Sequence, residues 1–206
     1  MPTSAYMQRR MQYLKGGGTR PQAILWSNNS GTLSNGAYIP NGNEGTDFII
    51  LSDHNRSEIS LSQQRIESRQ RMVNANMRSY HIADKLTLST SWSRFPSRAF
   101  SKDVEFDASG EVITSNYTSY TVDYAAGGVD MLSWYENHPG PFWVFLAYDK
   151  FRIDGYENYD RLGKYNQVLH MYFSSFDYSI EKRNSSWSSG PTGFDFWNVS
   201  VSLEEV

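Results

Sequence analysis

A chain of 206 residues is long enough for one large β domain or for a domain plus an arm. Its 19 basic and 22 acidic side chains nearly cancel, to −3, which excludes nucleic-acid binding driven by bulk charge. Cysteine is absent, which removes disulfides, thiolate metal sites and cysteine nucleophiles together and fits a reducing compartment.

Hydrophobic residues make up 39% of the chain and aromatic ones 15%, so the core on offer is rich in Tyr, Phe and Trp. Such residues favour strands and contact surfaces. No run of 18 apolar residues is present, so no membrane-spanning helix is expected. The first 18 residues carry charge without an apolar stretch and do not read as a signal peptide. Asn-x-Ser/Thr triplets begin at Asn28, Asn55, Asn116, Asn184 and Asn198, and chance supplies them in so Ser- and Asn-rich a chain.

Residues 1–20 read as an N-terminal arm, with a short helix from Tyr6 to Leu14 that sets Met7, Met11 and Leu14 on one stripe. Gly16, Gly17 and Gly18 end it, since three glycines cost too much backbone entropy to stay helical. Residues 21–206 read as a single β-rich domain. Residues 22–26 are a short strand. Residues 27–46 are rich in Asn and Gly and form a long turn-rich loop. Residues 47–52 are a short buried strand.

Residues 53–80 are polar and carry Arg56, Arg65, Arg69, Arg71 and Arg78. One extended strand running into a linker is expected there, with a helix as the alternative. Over residues 82–92 the alternation is clear. Leu86, Leu88, Thr90 and Trp92 point one way, and Lys85, Thr87, Ser89 and Ser91 the other, as on a half-wet antiparallel strand. Residues 120–124 read as another short strand.

Val129, Leu132, Trp134 and Tyr135 approximate helical spacing, and Pro139-Gly140-Pro141 stops that helix. Three aromatic strands follow. Phe142, Val144, Leu146 and Tyr148 alternate with Trp143, Phe145 and Ala147, so both faces are apolar and the strand is central. The second covers 168–183. In the third, Trp197, Val199, Val201 and Leu203 face inward and Asn198, Ser200, Ser202 and Glu204 outward. Two polar loops, 152–166 and 183–193, separate the three.

The expected fold is therefore mainly β: an antiparallel β-sandwich or rolled sheet with one short helix packed at one side and an extended N-terminal arm.

Catalytic chemistry is thin. His54, His81, His138 and His170 are scattered without a second ligand at metal spacing. His170 reads as a sheet histidine, and His138 as a helix-end residue favoured by the dipole. Asp103, Glu105 and Asp107 share one side of an extended segment, as a solvated edge would. Asp149, Asp154, Glu157 and Asp160 surround a turn but lack a calcium-loop spacing. No Gly-x-Ser-x-Gly elbow occurs. No metal and no cofactor are expected, and the chain does not read as an enzyme. Tyr156, Tyr159 and Tyr165, in a polar loop, and Trp187, in a Ser-rich one, could stack on sugar or make subunit contacts, the latter favoured by the enrichment of Tyr and Trp at interfaces.

Arg71-Met72-Val73-Asn74-Ala75-Asn76-Met77-Arg78, followed by a strand with Lys85, Ser89, Ser91 and Trp92, resembles segments of bacteriophage tail and baseplate proteins. In those segments a turn of this kind leads into a Ser-x-Ser-Trp strand; Ala75 stands where a glycine is usual. The chain's end, from Phe173 onward, has a similar look. The resemblance spans roughly residues 65–206 and implies a virion structural protein built on a β-sandwich and assembled in rings with identical subunits and neighbouring tail proteins. It supplies no catalytic residues. Residues 1–20, the 27–46 loop and the 152–166 loop are the expected contact segments, with Tyr6, Met7, Met11, Leu14, Tyr156, Tyr159, Tyr165 and Trp187 as contact residues. The alternative is a carbohydrate-binding β-sandwich module that stacks a glycan on Tyr156, Tyr159, Tyr165 or Trp187.

Overall fold

A computed structural model describes residues 21–34, 36–99, 120–123, 125–148, 164–183 and 193–206. Nine strands and one helix are seen among them: β1 (Ile24–Ser27), β2 (Thr32–Ser34), β3 (Ala37–Ile39), β4 (Phe48–Ile50), β5 (Ser60–Arg71), β6 (Met77–Pro96), α1 (Gly128–Asn137), β7 (Phe142–Leu146), β8 (Gln167–Lys182) and β9 (Phe196–Glu205). Seven of the strands form one sheet in the order β4-β1-β7-β8-β9-β6-β5, every pair antiparallel, and β2 and β3 form a small sheet of their own. Among the described residues the architecture is mainly β, antiparallel, with a single helix, as the residue pattern predicts.

The two outermost strands of the large sheet, β4 and β5, are consecutive in the chain. The stretch between them crosses from one margin to the other. Leu51 still donates to Ile24 O of β1 at 3.0 Å. A few residues later, Ser57 donates to Ser91 O of β6 at 2.8 Å, and Ser93 donates back to Asn55 O at 3.2 Å. Such a run can touch both margins only if the sheet is rolled, with the corner made by a strand that changes partners. The buried Trp92 indole closes the roll by donating its Nε1–H to Ser52 O at 2.7 Å. Asp123 fixes the same corner. It accepts the Ser52 hydroxyl at 2.6 Å and the Asp53 amide at 2.8 Å.

The inside of the roll is one apolar cluster fed by β1, β4, β6, β7, β8 and β9 and capped by Met131 and Trp134 of α1. The helix begins where Gly127 donates its amide to Asp130 Oδ2 at 2.7 Å. Glycine is required there, because a Cβ would lie 2.7 Å from the Arg98 carbonyl carbon. A second, smaller cluster of Leu25, Phe48, Ile50, Phe145, Ala147 and Tyr165 covers the opposite face of β4-β1-β7. The β2–β3 hairpin packs over it, with Tyr38 donating to Tyr165 O at 2.8 Å. The central strand β7 is thus apolar on both faces, as its sequence predicts.

Three expectations change. Residues 53–80 hold a complete strand, β5, a tight turn and the start of β6 rather than one strand and a linker. Residues 120–123 are bend and turn, not a strand. The carboxylate of Asp123 takes backbone and hydroxyl donors there, and a single parallel bridge, Leu51 to Ala126, follows. The loop at 27–46 is not structureless, since β2 and β3 lie inside it.

Candidate assembly surface

The sheet is built to two standards. Beyond β7 its strands outrun their neighbours. β7 pairs with only the first part of β8, as far as Phe142 against Met171. Pro139-Gly140-Pro141 comes just before, and proline has no amide to continue the ladder. Past Met171, residues 172–182 of β8 pair with β9 alone among the described residues. This margin contains no proline or glycine.

At the other side, β5 and β6 outrun β9. The β6–β9 ladder starts at Thr87 against Glu204, whereas the β5–β6 ladder extends to Arg71 against Met77. The hairpin therefore projects past the sheet by about ten residues, or roughly 30 Å. Nearly every residue on it is exposed on both faces, including Tyr80 at 74%, Ile82 at 61% and the tip Val73 at 109%. The outer edge of β5 pairs with nothing among the described residues.

Charge pairs stiffen this hairpin. Arg65 Nε donates to Asp84 Oδ1 at 3.0 Å, and His81 Nε2 lies 3.1 Å from the same oxygen. The Arg65 hydrogen bond, then the His81 one, holds Asp84 below the ordinary carboxylate range. Ser79 donates to Glu67 Oε2 at 2.6 Å and Arg69 pairs with Glu67 Oε1; these two bonds, in that order, lower Glu67 too. At the root, Lys85 Nζ donates to the carbonyl of Val206, and Leu86 N donates to Glu205 Oε2 at 3.0 Å. At the tip, Ala75 sits at φ 63, in the left-handed region that favours glycine, and donates to Met72 O at 2.9 Å.

One face of β8-β9-β6-β5 lies against the core. The other carries hydroxyls. Ser60, Ser89, Ser202 and Ser175 stand side by side across the four strands as ladder partners. Ser91, Ser200 and Asp177 form the next row. All seven are exposed or half-buried. On the core side, past the end of β7, Tyr135 of α1 stacks on Phe176 at 4.9 Å, and Tyr178 stacks on Trp197 at 5.0 Å.

Of the residues singled out for contacts, Tyr6, Met7, Met11, Leu14, Tyr156, Tyr159 and Trp187 lie outside the described residues. Tyr165 is 1% exposed and packs edge-on against Phe145 at 6.0 Å, so its ring serves this chain's own core and is not on its surface. Sequence gave no sign of that, because Lys164 and Asn166 flank it. His170 stacks on Trp143 at 4.4 Å as a sheet histidine. His138 caps α1, its Nδ1 lying 2.8 Å from Trp134 O and its ring stacked on Trp134 at 3.8 Å. Among the described residues neither belongs to a cluster of metal-ligating side chains. The acidic sets at 103–107 and 149–160 lie outside the described residues, as does the 152–163 part of the loop.

No family model matches the chain, and no curated protein matches it. Among solved structures it is similar to a chain from one described as "Tail of empty GTA particle computed with helical refinement, C6 symmetry", at 8% identity and a TM-score of 0.36, over 90% of this chain and 91% of that one.

Proposed function

We propose that this protein is a structural subunit that joins with copies of itself in a virion assembly of the phage-tail type, and that it transforms no substrate. One observation carries the reading. The hairpin β5–β6 projects past the sheet with its outer edge unpaired among the described residues and with Ile66, Met77, Tyr80 and Ile82 in the open. A two-stranded hairpin by itself is marginally stable in water, and long unpaired edges are templates for another chain. A protein that keeps such an element on a rigid, rolled base gains a use for it when a neighbour covers it.

The resemblance of residues 71–92 to tail and baseplate segments supports the same reading, because those residues are the hairpin tip and β6. The stretches 1–20 and 152–166 remain contact segments in this proposal, through Tyr6, Met7, Met11, Leu14, Tyr156 and Tyr159. Trp187 is a further contact residue. Ring closure follows when head-to-tail contacts rotate through a closing angle. Mass photometry and negative-stain imaging of the purified chain across a concentration series test it. The proposal expects particles of several copies, rings among them. A monomer at every concentration, alone and with candidate tail partners, contradicts it.

A further inference from the structure

We propose that the subunits join edge to edge, the outer edge of β5 in one copy adding to residues 172–182 of β8 in the next, so that the four-stranded layer β8-β9-β6-β5 runs on from copy to copy. This rests on the self-association reading above and names the two surfaces that carry it. It differs from the loop contacts expected from sequence.

Topology supplies the first argument. The two edges are the opposite margins of one four-stranded layer. Neighbouring strands in that layer alternate in direction. With four strands, β5 runs opposite to β8. A second copy set alongside with the same face up therefore presents β8 antiparallel to β5, and the alternation is unbroken. An odd number of strands would have forced a parallel joint. The lengths also match, since β5 has 12 residues and the open part of β8 spans 172–182. Ser60 stands level with Ser175 across the layer, so bringing these edges together also slides each copy along the strand direction by about seven residues, roughly 25 Å. Neither edge contains proline or glycine, so every residue can take part in a ladder.

Charge supplies the second argument. β5 carries Arg65, Arg69 and Arg71 against Glu67, and 172–182 carries Asp177 and Glu181 against Lys182. Within the chain Arg65 already pairs with Asp84, Arg69 with Glu67 and Glu181 with Arg94, which leaves Arg71 and Asp177 as the charges most open to a neighbour. Pairing β5 with a second β5 sets arginines near arginines, and pairing β8 with β8 about its middle sets Asp177 near Asp177. Like charges opposite each other on a sheet are unfavourable. The head-to-tail joint avoids both of these like-charge contacts. A head-to-tail contact has no built-in stop at two copies, so it propagates or closes into a ring.

The absence of native cysteine makes the joint directly readable. Four double variants combine Ser62→Cys or Gln64→Cys on β5 with Ser175→Cys or Ser179→Cys on β8. Within one copy these margins are three strand spacings apart, about 14 Å, too far for a disulfide. Under mild oxidation at least one double variant is expected to give a ladder beyond dimer on a non-reducing gel, while each single variant stops at dimer or below.

The second measurement uses blocked edges. Ser68→Pro on β5 and Ser175→Pro on β8 should each stay monomeric, and their mixture should give one-to-one dimers and nothing larger. If wild-type particles exceed a monomer but no double variant links beyond its single controls and the mixture fails to pair, the edge joint is wrong and self-association stands on other surfaces. Double variants that link but all stop at dimer also overturn it in favour of a two-fold contact. If the wild type never exceeds a monomer, the joint and the proposed function fall together.

Discussion

The strands β4, β1 and β7 and the strands β8, β9, β6 and β5 belong to one sheet but are buried differently. In the first group Leu25, Phe145 and Ile50 face one core and Trp26, Val144 and Ile49 face the other, so both sides are dry. In the second group one side is core and the other is a field of serines, and the strand ends run past their partners. The strands covered on both faces anchor the fold. With that anchor in place, the remaining strands can spend their polar face and their margins on display. The difference therefore divides the molecule into a part that holds it together and a part that, on the proposed reading, is left to meet neighbours.

Substitutions at the closure and on the display layer should separate the two. Trp92→Ala, which removes a fully buried ring and the bond that shuts the roll, is expected to cost ~3–5 kcal/mol in denaturant unfolding. Trp92→Phe keeps most of the volume but strips Ser52 O of its donor, and about 1–3 kcal/mol should go. A loss no larger than a surface change would break the claim that this corner holds the roll.

Ala75→Gly relieves the left-handed turn at the hairpin tip and should stabilise the hairpin by about 1 kcal/mol, read as slower amide exchange in residues 70–80. Acid should act in the opposite direction. Asp84 and Glu67 have lowered pKa values in the folded chain, so their contribution is complete above the ordinary carboxylate range and is lost as the pH falls below it. Asp84 is exposed and Glu67 half-buried on the projecting hairpin, so the effect is local: exchange in 77–85 should speed up while the amides of β1 and β7 stay protected. Smallest of all, Ser202→Ala on the hydroxyl face should leave monomer stability within about 0.5 kcal/mol, since nothing in the fold leans on it.

The parts legible from sequence are those where burial imposes a period. β6 beyond Lys85 and β9 alternate because one face is core, and Leu88, Trp92, Val199 and Leu203 fall where the alternation puts them. β7 reads as central because both its faces are apolar. β5 escaped a firm reading because it buries neither face well and so carries no period. A rolled sheet was one of the two arrangements expected, but the bond that closes it escaped, because Trp92 and Ser52 are 40 positions apart and neither residue advertises the other. Ala75, set where related turns carry glycine, did mark something physical: its φ is positive. Tyr165 looked like a loop aromatic and proved to be core, since a polar neighbourhood in sequence says nothing about which way one ring turns.

Amide hydrogen exchange on the assembled protein against the free subunit tests the division of the sheet most directly. Assembly should slow exchange along residues 60–71 and 172–182, at both open margins, and leave β1 and β7 as protected as before. Protection that is unchanged at both margins, or that rises in β1 and β7 instead, contradicts the account.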